Sequence, residues 1–433
     1  MCIINYHYIQ NFMIQKISII QYYLLLSLPL MLTTGPFLPD LVISLIGILF
    51  LLNFYLKKNF NLFKLDIFGK IFFLWCVYLI VLSILSTNPY LSLEASLFFF
   101  RFGIFAYAVR DIIDSNQKLK VFLFILFSSV VLVLINAYFQ YFLGADLFNN
   151  EYDNYRITLL GDEKFTGHYI VRMIPIIFAA ILLIYYKSPF LIFVLMVIFI
   201  LSDVIIFLSG ERTSFFMISL FTLMILFLIS KWKLLRILTI FISVLLIYFI
   251  LNNDSHLKHR MVLQTLNQTE SSVTFSPEHD LLYESAINMF IDNKLFGFGP
   301  KIFRIKCSDE KYGKDSFGYK DKILAWEDNK SCNTHPHNIY LQLLAETGLI
   351  GTLPVIALYF YISYLLFKHL VNIIFLRRYL FSDYLVCLLI SVFIQLWPVM
   401  PHLSFFSNRT NVFLFLTFGL IMAYQKKNEK KND

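Results

Sequence analysis

The apolar residues of this chain gather into long runs. A helix needs about 20 mostly apolar residues to cross a bilayer. Twelve runs meet that length, at roughly 17–34, 38–56, 68–87, 91–109, 119–141, 167–186, 189–208, 213–230, 232–251, 348–367, 380–398 and 410–424. The pattern predicts an all-α polytopic membrane protein with about 12 transmembrane helices. One segment, 252–347, breaks the rhythm: it is polar, yet aromatic and apolar residues recur in it ("LLYESAINMFIDNKLFGFG"). A loop of that length is functional or disordered, and its apolar content favours an ordered outer subdomain. Three parts are expected: 1–251 with the first nine spans, 252–347 as the large loop, and 348–433 with the last three spans and a basic tail. No internal repeat is visible.

Composition agrees with this class. The 433 residues are 58% hydrophobic and 15% charged, whereas soluble domains carry about a quarter charged residues. The 48 Phe and 26 Tyr, against 15 Gly and 12 Pro, favour long helices over turns. The first apolar run (18–33) has no small-residue cleavage site and reads as a retained span.

Charge sets the orientation. With the N-terminus inside, "KKNFNLFKLDIFGK", "VRDIIDSNQKLK", Lys187, "KWKLLR", "KHLVNIIFLRRYL" and the tail "QKKNEKKND" all face the cytoplasm. The short loops on the opposite side hold only Arg156, Lys164, Arg212 and Arg409. The net charge of +8 is thus a topology signal and implies no nucleic-acid partner. Cys307 and Cys332 both fall in the outer loop, where an oxidising compartment would join them as a disulfide.

Candidate chemistry centres on "NTHPHNIYLQLLAETG", residues 333–348. Pro336 suits a first helical turn, with Thr334 or His335 as cap and Gly348 as the stop. His337 then lies at the positive end of the helix dipole, which keeps a neutral, basic nitrogen, and the same N–H groups can hold an anion. The competing reading makes both histidines amphipathic interface residues. Asn338, Gln342 and Glu346 form a polar ridge at i, i+4 and i+8, with Glu346 facing water at the membrane surface as its plain role.

Arginines add a second signal. Arg101 lies near the middle of a span, where a buried charge is a functional candidate by default. Arg172 is close enough to a span end to snorkel. Arg212, in the short loop "LSGERTSFF", is fixed at the outer mouth, and Arg260 and Arg304 come from the large loop. Such a cluster suits bidentate grip of phosphate, although isolated loop cations are common. Metal chemistry finds little support: no D-x-D, H-x-x-x-H or C-x-x-C occurs, and "HPH" alone is weak. There is no G-x-S-x-G, and "FGFGPK" reads as a turn.

"SGERTSF" at the outer end of a span, then "FGFGPKIFRIKC" and "HPHNIYLQLLAETGLIG", resemble the O-antigen ligase and O-antigen polymerase superfamily of bacterial inner membranes. The H-x-H-N…E-x-G-x-x-G block is the most specific element. The resemblance implies an all-helical GT-C-type fold. It implies glycan transfer from undecaprenyl diphosphate to an acceptor on the periplasmic face, without metal or other cofactor. Ligases use lipid A–core as acceptor, and polymerases use another carrier-linked repeat unit. By position, His337 matches the family's catalytic histidine, Arg212 a diphosphate-binding arginine and Arg260 a second. His335, Asn338, Arg101 and Glu346 are supporting candidates. In one departure, "EHDLLYES" stands where many ligases have a third arginine, and Arg304 is the expected replacement.

The implied reaction is an inverting displacement in which His337 removes the acceptor hydroxyl proton and fixed guanidinium groups stabilise the leaving diphosphate. Polymerase activity is the near alternative. A lipid-linked sugar flippase is the alternative from another class, although transporters place their sites near the bilayer midplane.

Overall fold

The structure is a computed structural model that describes residues 2–57, 66–153, 155–160, 163–185, 188–313, 316 and 332–432. The basic stretch 58–65, Lys187 and most of the sequence between the two loop cysteines lie outside the described residues.

Long helices come first: α1 (Cys2–Met31), α2 (Phe37–Lys57) and α3 (Ile67–Ile84). The short α4 (Pro89–Ser96) and α5 (Phe100–Ile112) follow, then α6 (Asn116–Leu143) and α7 (Thr166–Ile184). Next are α8 (Pro189–Leu208), α9 (Arg212–Leu228) and α10 (Lys233–Asn253). The outer segment holds α11 (Ser255–Lys258), a π-turn (His259–Leu263), α12 (Gln264–Glu270), α13 (Pro277–Asp292) and α14 (Phe303–Lys306). The chain closes with α15 (Ile339–Leu376), α16 (Asp383–Gln395) and α17 (Asn408–Asn432). Side-chain caps fix several starts: Asp66 accepts from the Gly69 N–H, Ser115 from Lys118 and Ser276 from His279.

The protein is an all-α polytopic membrane protein. Nine helical segments among the described residues are long and apolar enough to cross a membrane, fewer than the twelve expected. The other three expected spans correspond to α9 and α16, which are apolar but shorter, and to α17, which ends in a polar tail. The fourth expected span is not one continuous helix. It breaks at residues 97–99, between α4 and α5.

That break corrects the placement of Arg101. Its Nη2 donates to Asp40 at 2.6 Å and to Asn408 at 3.0 Å, near the first turns of α2 and α17. The guanidinium is therefore paired near the ends of neighbouring helices and joins α2, α5 and α17.

α7 is the most enclosed candidate span, with 83% of its apolar window buried against 17% for α10. An aromatic cluster of Phe72, Trp75, Phe99, Phe405 and Phe415 fills the neighbouring core, and Phe99 stacks on Phe405 at 6.0 Å. The outer segment has its own small core, in which Leu282, Met289, Phe303 and Cys307 pack with Ala345. Cys307 and Cys332 are disulfide-bonded, with Cα atoms 4.9 Å apart.

The motif helix ends at Gly348 as expected, where the backbone is non-helical (φ 62, ψ −169), and a second helix continues across this kink to Leu376. A kink exposes main-chain groups that need partners, and residues 294–299, around the Gly297–Gly299 turn, supply them. Phe298 and Gly299 donate to the carbonyls of Ala345 and Glu346 at 3.2 and 2.7 Å. Leu349 and Ile350 donate to Lys294 and Leu295 at 2.8 and 3.2 Å. Contact this close excludes side chains: a Cβ on Gly297 would stand 2.5 Å from the Glu346 carbonyl carbon.

Candidate active site at the outer mouth

His337 lies just before α15, outside the helix. Asn338 is the N-cap, its side-chain oxygen accepting from the N–H groups of Tyr340 and Leu341. The expected cap at Thr334 or His335 and the first-turn position for His337 are corrected accordingly. His337 instead adopts a left-handed backbone (φ 56), rare for a residue with a side chain and typical of functional sites. The His402 N–H holds it there by donating to the His337 carbonyl at 2.6 Å.

Two further rings pack against this imidazole, His335 at 4.2 Å and His279 at 5.6 Å between centroids. Burial lowers the His337 pKa, while the His402 backbone and the Glu278 charge pull it back up. The neutral base expected from the helix dipole therefore owes its neutrality to desolvation.

His337, Arg212 and Arg260 line one cavity of about 740 Å³. Arg212 donates to Gln268 at 2.6 Å and to Gln264 at 2.9 Å, and Arg260 donates to the same Gln264 oxygen at 3.1 Å. Among the described residues neither arginine is in an ion pair, so amides orient the forks without neutralising them. Arg260 sits in the π-turn, a local distortion common at functional sites. Burial, then the nearby Arg156 charge, lowers its pKa, against the charges of Asp153 and Glu278, which pull it up. Cations pressed together without a carboxylate in contact leave positive potential for an anion.

Arg304 does not join them. It is absent from the cavity lining, and its charge reaches Glu346 and His335 instead. Arg156, read from sequence as an ordinary short-loop cation, is the third arginine lining the cavity, together with Lys164. Glu278 and His279, at the position of the family departure, line it as well.

The supporting candidates lie around the cavity. His335 is buried and fixed between the Thr334 hydroxyl and the His402 carbonyl, at 3.0 and 3.2 Å. Glu346 is fully buried, which corrects its expected exposure to water: it accepts from the Phe303 N–H and from Gln342, both at 3.1 Å. Arg172 does not snorkel. It is buried and donates to the His168 carbonyl at 3.0 Å.

Glu211, inside "SGERT", accepts from the N–H groups of Gly167 and His168 at 3.0 and 2.9 Å and so caps α7. It and His168 line the cavity, as does His402. None of these three carried a separate signal in sequence, because each acts across elements distant in the chain. Among the described residues no group of three or more His, Cys, Asp or Glu side chains gathers in a metal-ligand arrangement.

Chemically, the cavity joins a neutral imidazole to guanidinium groups that make no ion pair among the described residues, at the end of the bundle that the charge pattern assigns to the outside. Residues 193–356 match a family model described as O-antigen ligase. No curated protein matches the chain.

Proposed function

Starting from residues 193–356 as members of the O-antigen ligase and O-antigen polymerase superfamily, we propose that the protein is a ligase-type glycosyltransferase of the bacterial inner membrane. It moves a glycan from undecaprenyl diphosphate to lipid A–core on the periplasmic face. The observation that carries this reading is the shared cavity of His337, Arg212 and Arg260.

In this reading the diphosphate lies against Arg212, Arg260 and Arg156, and the acceptor hydroxyl meets His337. The imidazole removes the hydroxyl proton as the oxygen attacks the anomeric carbon. The bond from that carbon to the carrier diphosphate breaks with inversion, and the fixed guanidinium groups stabilise the charge gained by the leaving group. Arg156 takes the third arginine role in place of Arg304, because it lines the cavity and Arg304 does not.

Purified protein, supplied with carrier-linked glycan and lipid A–core, tests the proposal. Formation of the glycosylated core, unaffected by a chelator, is the expected result. Products containing two joined repeat units on carrier lipid would make it a polymerase. Movement of carrier-linked sugar across a vesicle without bond formation would make it a flippase. Activity lost to chelation and restored by Mg²⁺ or Mn²⁺ would overturn the metal-free step.

A further inference from the structure

The last outer loop, residues 396–407, lies beyond the matched region yet is tied closely to the histidine motif. Asn338 donates to the Pro398 carbonyl at 2.9 Å, and the Tyr340 hydroxyl donates to Leu396 at 2.7 Å. Gln342 donates to the Ser404 hydroxyl at 3.0 Å, and the Phe405 N–H donates back to Gln342 at 2.8 Å. His402 stands among these bonds. Its contacts to His337 and His335 use its own main-chain N–H and carbonyl. Any residue at 402 except proline can make them, so they leave the role of the imidazole unexplained.

That ring is 7% exposed and lines the same cavity as Arg212 and Arg260. Among the described residues neither ring nitrogen makes a hydrogen bond of normal geometry, although the Met400 carbonyl is near enough to favour protonation. Burial, with the Arg172 charge beside it, outweighs that influence and pushes the ring pKa down to about 3. The ring is then neutral at pH 7, with one N–H to donate and one nitrogen to accept. A ligand that meets a buried, unmet donor gains binding from it.

His402 shares a second cavity, of about 40 Å³, with Arg172, which lies six residues into α7 and so roughly 9 Å below its outer end. Exposed apolar side chains, Phe216 and Val399, line the larger cavity beside it. On the topology expected from the charge pattern, a carrier head group arrives along this apolar wall, whereas Glu278 and His279 line the cavity from the outer subdomain.

We propose that His402 is a further donor-binding residue whose imidazole N–H donates to a diphosphate oxygen of the lipid carrier, from a wall other than that of Arg212 and Arg260. The proposal rests on the function given above.

The test compares full-length wild type, His402→Ala and His402→Gln for binding of undecaprenyl diphosphate, for donor and acceptor KM, and for thermal stability. His402→Ala is expected to weaken carrier binding about tenfold or more, raising donor KM and leaving acceptor KM unchanged. His402→Gln keeps an N–H donor and is expected to recover most of the affinity. Equal binding by wild type and His402→Ala overturns this proposal alone. Lost donor affinity with unchanged carrier binding also overturns it, because it assigns the ring to the sugar. Equal loss in both variants with a lowered Tm makes the side chain structural. A wild type that neither binds the carrier nor transfers glycan brings down the functional reading itself.

Discussion

Arg212 donates through Nη2 to the main-chain carbonyl of Arg260, 3.2 Å away. The two guanidinium groups are thus registered by backbone and by the shared Gln264. This geometry needs the planar fork, since a lysine ammonium cannot reach two acceptors and still face the cavity. Arg212→Lys is expected to lower kcat/KM for the donor about tenfold to a hundredfold despite unchanged charge. Transfer kinetics with the purified variant check it, and near-normal activity would remove the fork from the mechanism.

His337→Ala is expected to abolish transfer while leaving expression and membrane insertion intact. Because burial lowers the pKa of His337, the base form persists below the usual histidine range. The rate should stay flat as pH falls through about 6.5 and decline only at more acidic pH. A wild-type profile that loses activity at or above the ordinary value would remove this imidazole as the base.

Acid should destabilise the outer mouth before it stops the chemistry. His335 and His402 are each pushed down to about 3 and His279 to about 4, in every case chiefly by burial. Their unfolded counterparts bind protons near 6.5, so the unfolded state holds more protons throughout the window between. Stability is therefore full above about 6.5 and falls as pH drops toward those lowered values. Thermal unfolding in detergent across that range checks the slope, and His279→Phe should flatten it.

Gly297→Ala is expected to be severe, because its Cβ would meet backbone atoms of residues 346–348 at 2.5–2.6 Å and its φ of 69° disfavours a side chain. The turn would leave the kink, and Tm should fall with activity. Glu346→Gln keeps an acceptor for the Phe303 N–H and should be milder than Glu346→Ala, which leaves that buried donor unmet at a cost of about 1–3 kcal/mol.

Reduction of the Cys307–Cys332 bridge, or Cys307→Ser with Cys332→Ser, is expected to destabilise the outer segment by about 2–4 kcal/mol. The bridge ends one residue before Asn333, whose side chain lies 3.4 Å from the His337 ring. Activity should therefore fall along with stability. Thiol labelling with and without reductant, beside Tm, measures both.

The sequence by itself determined the membrane class, and its motif strings singled out His337, Arg212 and Arg260, which the fold brings to one cavity. Length, hydropathy and basic-residue bias act locally along the chain, and the motif residues come in short, recognisable strings. Only tertiary structure decided what gathers around them. Arg156 and His402 line the cavity from loops far from the motifs, whereas Arg304 does not line it. Arg101 read as a mid-span charge because its partners Asp40 and Asn408 are distant in sequence. The physical reason is the same throughout: a membrane span is specified by its own composition, but burial, partner and pKa depend on which distant backbone lies alongside.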